Sequence, residues 1–142
     1  KSNNNHWLWS NNEPINENGE EILLSSINDY YGLWIRLKTV DSLIAAELTS
    51  KEQIKLYPDN IYGYNILGVV NGVQGKTEEA LSWYLKAEKV NNQDYIVLNN
   101  IAYCYEQLSN NKKAIEYYQK MELIDDDQVK EYARQKISQM NE

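Results

Sequence analysis

The sequence has few of the residues on which most catalytic and metal sites depend. Its 142 residues include one His, one Cys, two Pro and no Phe. One His and one Cys cannot form a zinc site from these two residue types alone, and a lone Cys cannot form a disulfide within the chain. Two Pro and six Gly argue against an all-β fold rich in loops. No apolar run approaches the ~18 residues of a membrane span, so no transmembrane helix is predicted.

The remaining candidates for chemistry fail on context or spacing. His6 lies in an Asn-rich stretch, where a solvated or packing role is favoured over that of a base. Cys104 lies in an apolar stretch and is expected to be a small buried hydrophobe. Asp125 does not begin an EF-hand calcium loop, because Lys130 and Lys136 stand where that loop needs Gly and Glu. We therefore expect no enzyme activity, no cofactor and no metal.

Acidic residues outnumber basic ones by 21 to 14, which gives a formal net charge of −7. Such a chain is repelled by phosphate backbones and anionic lipid surfaces, so no nucleic-acid partner is expected. The first residue is Lys1, as in a processed form or a fragment. The sequence leaves the compartment of this expected soluble chain open between the cytoplasm and export.

Apolar residues recur at helical spacing from Glu21 onward. The pattern predicts seven helices, at 21–38, 41–56, 61–74, 77–90, 95–108, 111–124 and 128–140. Residues 1–20 contain seven Asn and are predicted to be an irregular leader. The sequence therefore predicts a leader over 1–20 and one all-α domain over 21–142.

Residues 61–94 resemble residues 95–128 at an offset of 34 positions. Five positions are identical: Asn65/Asn99, Ala80/Ala114, Tyr84/Tyr118, Lys86/Lys120 and Glu88/Glu122. Two short helices in each 34-residue unit predict an α-solenoid of antiparallel helix pairs. A weaker unit over 27–60 is interpreted as a degenerate repeat, and the helix at 128–140 as a polar capping helix.

The repeat resembles the tetratricopeptide repeat (TPR) family. The first unit offers Tyr64, Leu67-Gly68, Ala80 and Tyr84 at the positions of that family's pattern. The second unit offers Leu98, Ile101-Ala102, Tyr105, Ala114 and Tyr118. Asn71 departs from the pattern, where the family usually has Tyr.

The resemblance implies that the first helix of each unit lines a concave groove for a peptide or a partner helix. The positions it implies for this groove are Tyr31, Ile35, Lys38, Tyr62, Asn65, Ile66, Val69, Asn99, Asn100, Tyr103 and Gln107. Asn65 and Asn99 occupy the same position in consecutive units, and an Asn amide can both donate to and accept from a peptide backbone. Capping of local backbone and simple exposure to water are the alternative roles for this pair.

The residues in the groove favour a neutral or basic, partly apolar partner, because Lys38 is the only basic residue among them. A non-catalytic protein-interaction module is therefore the first functional prediction. A structural or self-assembling domain and an accessory domain of a larger enzyme remain open. Trp7-Leu8-Trp9 in the leader is expected to pack on the first helix pair rather than to occupy the groove.

Overall fold

The computed structural model describes residues 8–10, 13–15 and 40–142. The predicted helix at 21–38 lies outside this part of the chain. So do the groove positions Tyr31, Ile35 and Lys38, which stay predictions.

Six α-helices follow one another through residues 40–142. They are α1 (Val40–Leu56), α2 (Ile61–Val73), α3 (Thr77–Val90), α4 (Tyr95–Gln107), α5 (Asn111–Met121) and α6 (Asp127–Met140). The predicted ends agree with these bounds to within three residues. The all-α solenoid class is confirmed, whereas the assignment of individual repeats and of a capping helix stays a prediction.

Side-chain caps fix where four of these helices begin. A carboxylate or amide oxygen accepts a hydrogen bond from a free backbone N–H of the first turn, which replaces the partner that the helix itself cannot supply. The capping residues are Asn60, Asp94, Asn110 and Asp126. The helix α3 differs, since its capping position is Lys76, which makes no side-chain cap bond.

The turns after α2 and α4 use the same backbone geometry with different residues. Gly75 has a φ of 78°, and Ser109, 34 positions later, has a φ of 58°. Glycine adopts this left-handed region without strain, whereas a serine with a Cβ is disfavoured there. The two turns therefore share a shape that the helix packing imposes.

Bonds between alternate helices show two layers. An Asn100–Asn65 hydrogen bond of 3.1 Å joins α4 to α2, and Lys136 on α6 bonds to Glu106 on α4 at 3.4 Å. In the other layer, Lys120 on α5 bonds to Glu88 on α3 at 2.9 Å. Consecutive helices pack between the layers, so the chain passes back and forth from one layer to the other.

The core lies between the layers, and its closest approach is at Gly68. A Cβ on Gly68 would stand 2.2 Å from the ring of Tyr84, so the ring of α3 rests directly on the backbone of α2. The absence of a side chain at Gly68 therefore lets the two helices approach closely. The largest fully buried apolar side chains are Tyr118, Ile66, Leu67, Leu98, Ile101 and Met121.

Two short strands precede the helices. β1 (Leu8–Ser10) pairs antiparallel with β2 (Glu13–Ile15), and the backbone of β1 lies beside α1. The prediction of an irregular leader is wrong for these residues, because backbone hydrogen bonds between the strands organise them. The predicted packing of Trp7-Leu8-Trp9 on the first helix pair is not decided by this backbone placement.

Candidate protein-binding surface

The predicted groove residues on α4 reach the surface. Tyr103 is 54% exposed, and Gln107 is exposed as well. Asn99 and Asn100 are partly buried. We define the α4–α6 surface as the face that contains seven residues: Asn99, Asn100, Tyr103, Glu106, Gln107, Tyr132 and Lys136.

The predicted groove residues on α2 are mostly buried, which corrects that part of the prediction. Asn65 and Ile66 are 0% exposed and Val69 is 3% exposed, so a partner has no access to them. Tyr62 is half-buried and packs against the core. No sequence signal indicates this burial, because a buried Asn is an exception to the usual distribution of residues.

Asn65 has an internal partner in place of a peptide. Its Oδ1 accepts from Nδ2 of Asn100. Its own Nδ2 and the Oδ1 of Asn99 are buried and have no hydrogen-bond partner among the residues that the structure describes. A buried polar atom without a partner costs about 1–3 kcal/mol. Asn65 is therefore part of the packing contact between α2 and α4 and does not line an open groove.

A Tyr–Glu–Lys cluster supports the α4–α6 surface from below. The buried Tyr118 donates its hydroxyl hydrogen bond to Glu106, and Nζ of Lys136 donates to the same carboxylate. Nζ of Lys136 also lies 5.7 Å from the centre of the Tyr118 ring, within range of a cation–π contact. Burial, followed by the bond to Glu106, raises the pKa of the Tyr118 hydroxyl well above its ordinary value. The hydroxyl therefore stays protonated and keeps donating.

Two tyrosine rings border this cluster on the solvent side. Tyr132 is 38% exposed, and its ring meets that of Tyr118 edge to face at 6.4 Å between centroids. Tyr103 comes from the facing helix α4. Sequence reasoning missed Lys136, whose contact with Glu106 spans 30 residues. No local pattern reveals a contact at that distance.

A second cluster of the same chemistry lies in the other layer. The Tyr117 hydroxyl donates to Glu88 at 2.9 Å, and Lys120 bonds to the same carboxylate at 2.9 Å. Nζ of Lys120 lies 4.0 Å from the centre of the Tyr117 ring. Both clusters hold alternate helices together, so Glu106 and Lys136 are already paired within the fold. The groups of the α4–α6 surface that are left for a partner are its tyrosine rings and amides.

Two features of the described residues bear on the reactivity of the thiol and on metal binding. Burial raises the pKa of the Cys104 thiol to about 12, so the thiol stays protonated and unreactive near neutral pH. Residues 40–142 and the two strands contain no group of three His, Cys, Asp or Glu side chains placed to hold a metal ion. The geometry supports non-covalent contact through tyrosine rings and amides.

The carboxyl-terminal half of the chain matches a known protein family. The model for "Regulator of microtubule dynamics protein 1-3" matches residues 70–141, just over half of the chain. The chain belongs to this family. The match begins within α2 and includes every residue of the α4–α6 surface. No curated protein matches the chain.

Membership of the microtubule-dynamics family corrects the resemblance drawn from the repeat. The matching model is that of a helical family of regulators and not that of the tetratricopeptide repeat, so the TPR assignment is wrong. The described helices of this chain pack in consecutive pairs, as those of tetratricopeptide repeats do. For this reason the spacing of small and aromatic residues misled the assignment of the family, while the predicted architecture was correct. None of the described helices is long and apolar enough to cross a membrane.

Proposed function

We propose that this chain is a non-catalytic protein-interaction domain that takes part in regulating microtubule dynamics. Two observations support the proposal. The family match supports a role in microtubule dynamics. The exposure of Tyr103 on the α4–α6 surface supports binding through that surface. The second observation carries the proposed site, since an aromatic ring that is more than half exposed on a rigid helix is a common anchor in protein interfaces.

The chemistry of the surface favours a partly apolar, neutral or basic segment. Tyr103 and Tyr132 offer apolar ring faces with hydroxyls that can reach a partner's backbone. Asn99, Asn100 and Gln107 add amides that both donate and accept. Lys136 is paired with Glu106, so little free positive charge is left to attract an acidic segment.

Reconstituted microtubules test the process and the surface together. The chain is added to growing microtubules, and their growth and shortening rates are recorded by light microscopy. Tyr103→Ala combined with Tyr132→Ala should weaken the effect of the chain about tenfold or more, as expected when central aromatic anchors are removed. The melting temperature should fall by only about a few degrees, because Tyr103 is more than half exposed and Tyr132 gives up one edge-to-face contact with Tyr118.

Tyr57→Ala is the matched control for the Tyr132→Ala change. Tyr57 is 37% exposed, close to the 38% of Tyr132, and it lies after α1 rather than on the α4–α6 surface. It should leave the effect on microtubules unchanged. An equal loss in the control would refute the assigned surface. If the wild-type chain leaves microtubules unaffected both alone and with cell extract, the proposed process is refuted.

A further inference from the structure

A second surface feature, separate from the α4–α6 surface, lies between the α1–α2 turn, α2 and the carboxyl end of α3. It is a cleft of about 460 Å³ lined by Asp59, Tyr64, Lys86, Lys89 and Val90. The Tyr64 hydroxyl donates to the backbone oxygen of Pro58 at 3.0 Å, which fixes one wall. Nothing in the proposed function uses this cleft, so a role for the cleft is independent of that function.

The two lysines of the cleft have no acidic partner within the part of the chain that the structure describes. Seven ion pairs form between side chains of the described residues, and neither Lys86 nor Lys89 takes part in any of them. Nζ of Lys86 instead lies 4.1 Å from the centre of the Trp83 ring. The cleft thus presents one ammonium group held over an aromatic face and a second one turn along the same helix.

The register of the internal repeat gives the residue equivalent to the acidic partner of Lys120. The equivalent of Lys86, 34 positions later, is Lys120, which lies over the ring of Tyr117 and bonds to Glu88. The same register places Trp83 at the position of Tyr117 and Ile54 at the position of Glu88. The lysine and the ring are therefore kept in the earlier unit, whereas the carboxylate is replaced by an apolar side chain.

We propose that this cleft binds an acidic peptide segment of a partner protein. A Glu or Asp side chain of the partner pairs with Lys86 as Glu88 pairs with Lys120. Lys89 meets a second carboxylate, and Asp59 on the opposite wall accepts a backbone N–H of the peptide. The presence of Asp59 selects for a segment with spaced acids rather than for a dense polyanion.

A peptide fits this charge pattern better than a membrane or a nucleic acid does. Attraction to anionic lipid takes clusters of about 4–8 basic residues, and the cleft offers two together with an aspartate. The net charge of −7 also opposes approach to any extended anionic surface.

Fluorescence anisotropy with a labelled peptide of alternating Gly and Glu tests the proposal. The full chain should bind this peptide, and affinity should fall as salt is added. A peptide of alternating Gly and Gln should not bind. Lys86→Gln with Lys89→Gln should raise the dissociation constant roughly tenfold, as expected for two surface ion pairs. Lys76→Gln with Lys112→Gln removes the same charge away from the cleft and should leave the constant unchanged.

Ile54→Glu gives a second test that works by adding a group. It supplies the carboxylate that the register lacks, so it should pair with Lys86 and lower the affinity for the Glu peptide. Ile54→Gln is its neutral control and should bind the peptide as the unmodified chain does. If Ile54→Glu fails to fold, the lysine variants still decide the matter.

Three results would overturn the proposal. The first is equal binding of the Glu and Gln peptides. The second is an equal loss of affinity in the two lysine double variants, which would mean that total charge matters and the cleft does not. The third is binding of phosphatidylserine vesicles that depends on Lys86 and Lys89 in the absence of binding to the Glu peptide, which would make the cleft a lipid site.

Discussion

The helix pairs α2/α3 and α4/α5 share one register but treat equivalent positions in opposite ways. Val69 is 3% exposed, while Tyr103, 34 positions later, is 54% exposed. Asn65 is fully buried, and its equivalent Asn99 is partly exposed. One face of α2 is thus buried, whereas the equivalent face of α4 is exposed to solvent. A repeated sequence pattern fixes the helix packing here without fixing which face is free to bind.

The two pairs are also held together by different means. In the first, the Tyr84 ring lies on the bare backbone of Gly68, and Gly72 stands beside the Tyr84 hydroxyl. In the second, Ala102 and Glu106 occupy these positions, and Tyr118 donates to Glu106. Close steric contact therefore joins α2 to α3, whereas a polar cluster helps to join α4 to α5 and α6.

The largest expected effect comes from exchanging the small residues of the two pairs. Gly68→Ala places a Cβ 2.2 Å from the Tyr84 ring, so the ring must move within a packed core. We expect this change to lower the free energy of unfolding by about 2 kcal/mol, as for overpacking. Ala102→Gly should cost only about 1 kcal/mol, through the greater backbone entropy of glycine. Urea denaturation measures both.

A matching loss in the two variants would contradict this difference between the pairs. Gly68→Ala with Tyr84→Leu is the control, because the smaller leucine leaves room for the new methyl group. The double variant should recover part of the stability relative to Tyr84→Leu alone, whereas simple additivity would show that the two positions do not clash.

A smaller effect is expected from removing one hydroxyl from each pair. Tyr118→Phe deletes the donor to Glu106 and should lower the free energy of unfolding by about 1–1.5 kcal/mol, because the lost bond is to a carboxylate. Tyr84→Phe should change it by less than about 0.5 kcal/mol, since the equivalent of Glu106 there is Gly72. Thermal melts under matched conditions compare the two.

Glu106→Gln is the control for the Tyr118 result. It keeps an acceptor for the Tyr118 hydroxyl but gives up the charge that Lys136 meets, so its loss should be smaller than that of Tyr118→Phe. A larger loss would place the stabilisation in the ion pair with Lys136 and not in the tyrosine bond.

The smallest effect concerns the caps that begin the two pairs. Asn60 caps α2, and its equivalent Asp94 caps α4. Burial raises the pKa of Asp94, although bonds from the backbone N–H groups of Val97 and Ile96 act against the rise. A carboxyl whose pKa is raised by folding stabilises the fold when protonated. Its contribution is fully present below the ordinary pKa of 3.8 and is lost as pH rises through the raised value.

Asp94→Asn should therefore make the second pair resemble the first at neutral pH. It keeps the cap, removes the buried charge, and should raise the free energy of unfolding at pH 7 by up to about 1 kcal/mol. Near pH 3 the gain should vanish, because Asp94 is then neutral as well. Melts across this pH range measure the difference, and a gain that is constant with pH would show that charge burial is not its cause.

The parts of the fold that depend on nearby residues were predictable from sequence. Helical spacing and turn residues indicated the limits of α1 to α6, and Asn60-Ile61 and Asp94-Tyr95 mark true helix starts. Thr77 is of a type preferred for capping, but it lies within the first turn of α3, and Lys76 occupies the capping position. Such a shift by one residue depends on how the preceding turn at Gly75 closes.

The candidate site was only half predictable, because exposure depends on distant parts of the chain. Of the residues predicted to line the groove, Tyr103 and Gln107 are exposed, whereas Val69 and Ile66 are buried, although the same register produced all four. That the exposed residues bind a partner stays a prediction. Whether a position is covered is decided by packing between helices, and a repeat treats every unit alike. The family was missed for a related reason, since the pairing of helices constrains residue sizes in the same way whatever the family of the chain.

The stacking of each helix on its neighbours in the chain has a consequence for how the protein folds. The main helix–helix contacts all join consecutive helices, so few contacts close long loops. Chains with such local contacts reach the native state quickly, within microseconds to milliseconds for small helical proteins. Opening can also begin at one end without disturbing the other, as in a linear array. The Tyr118–Glu106–Lys136 cluster ties α6 to the helices before it and should slow fraying from the carboxyl end.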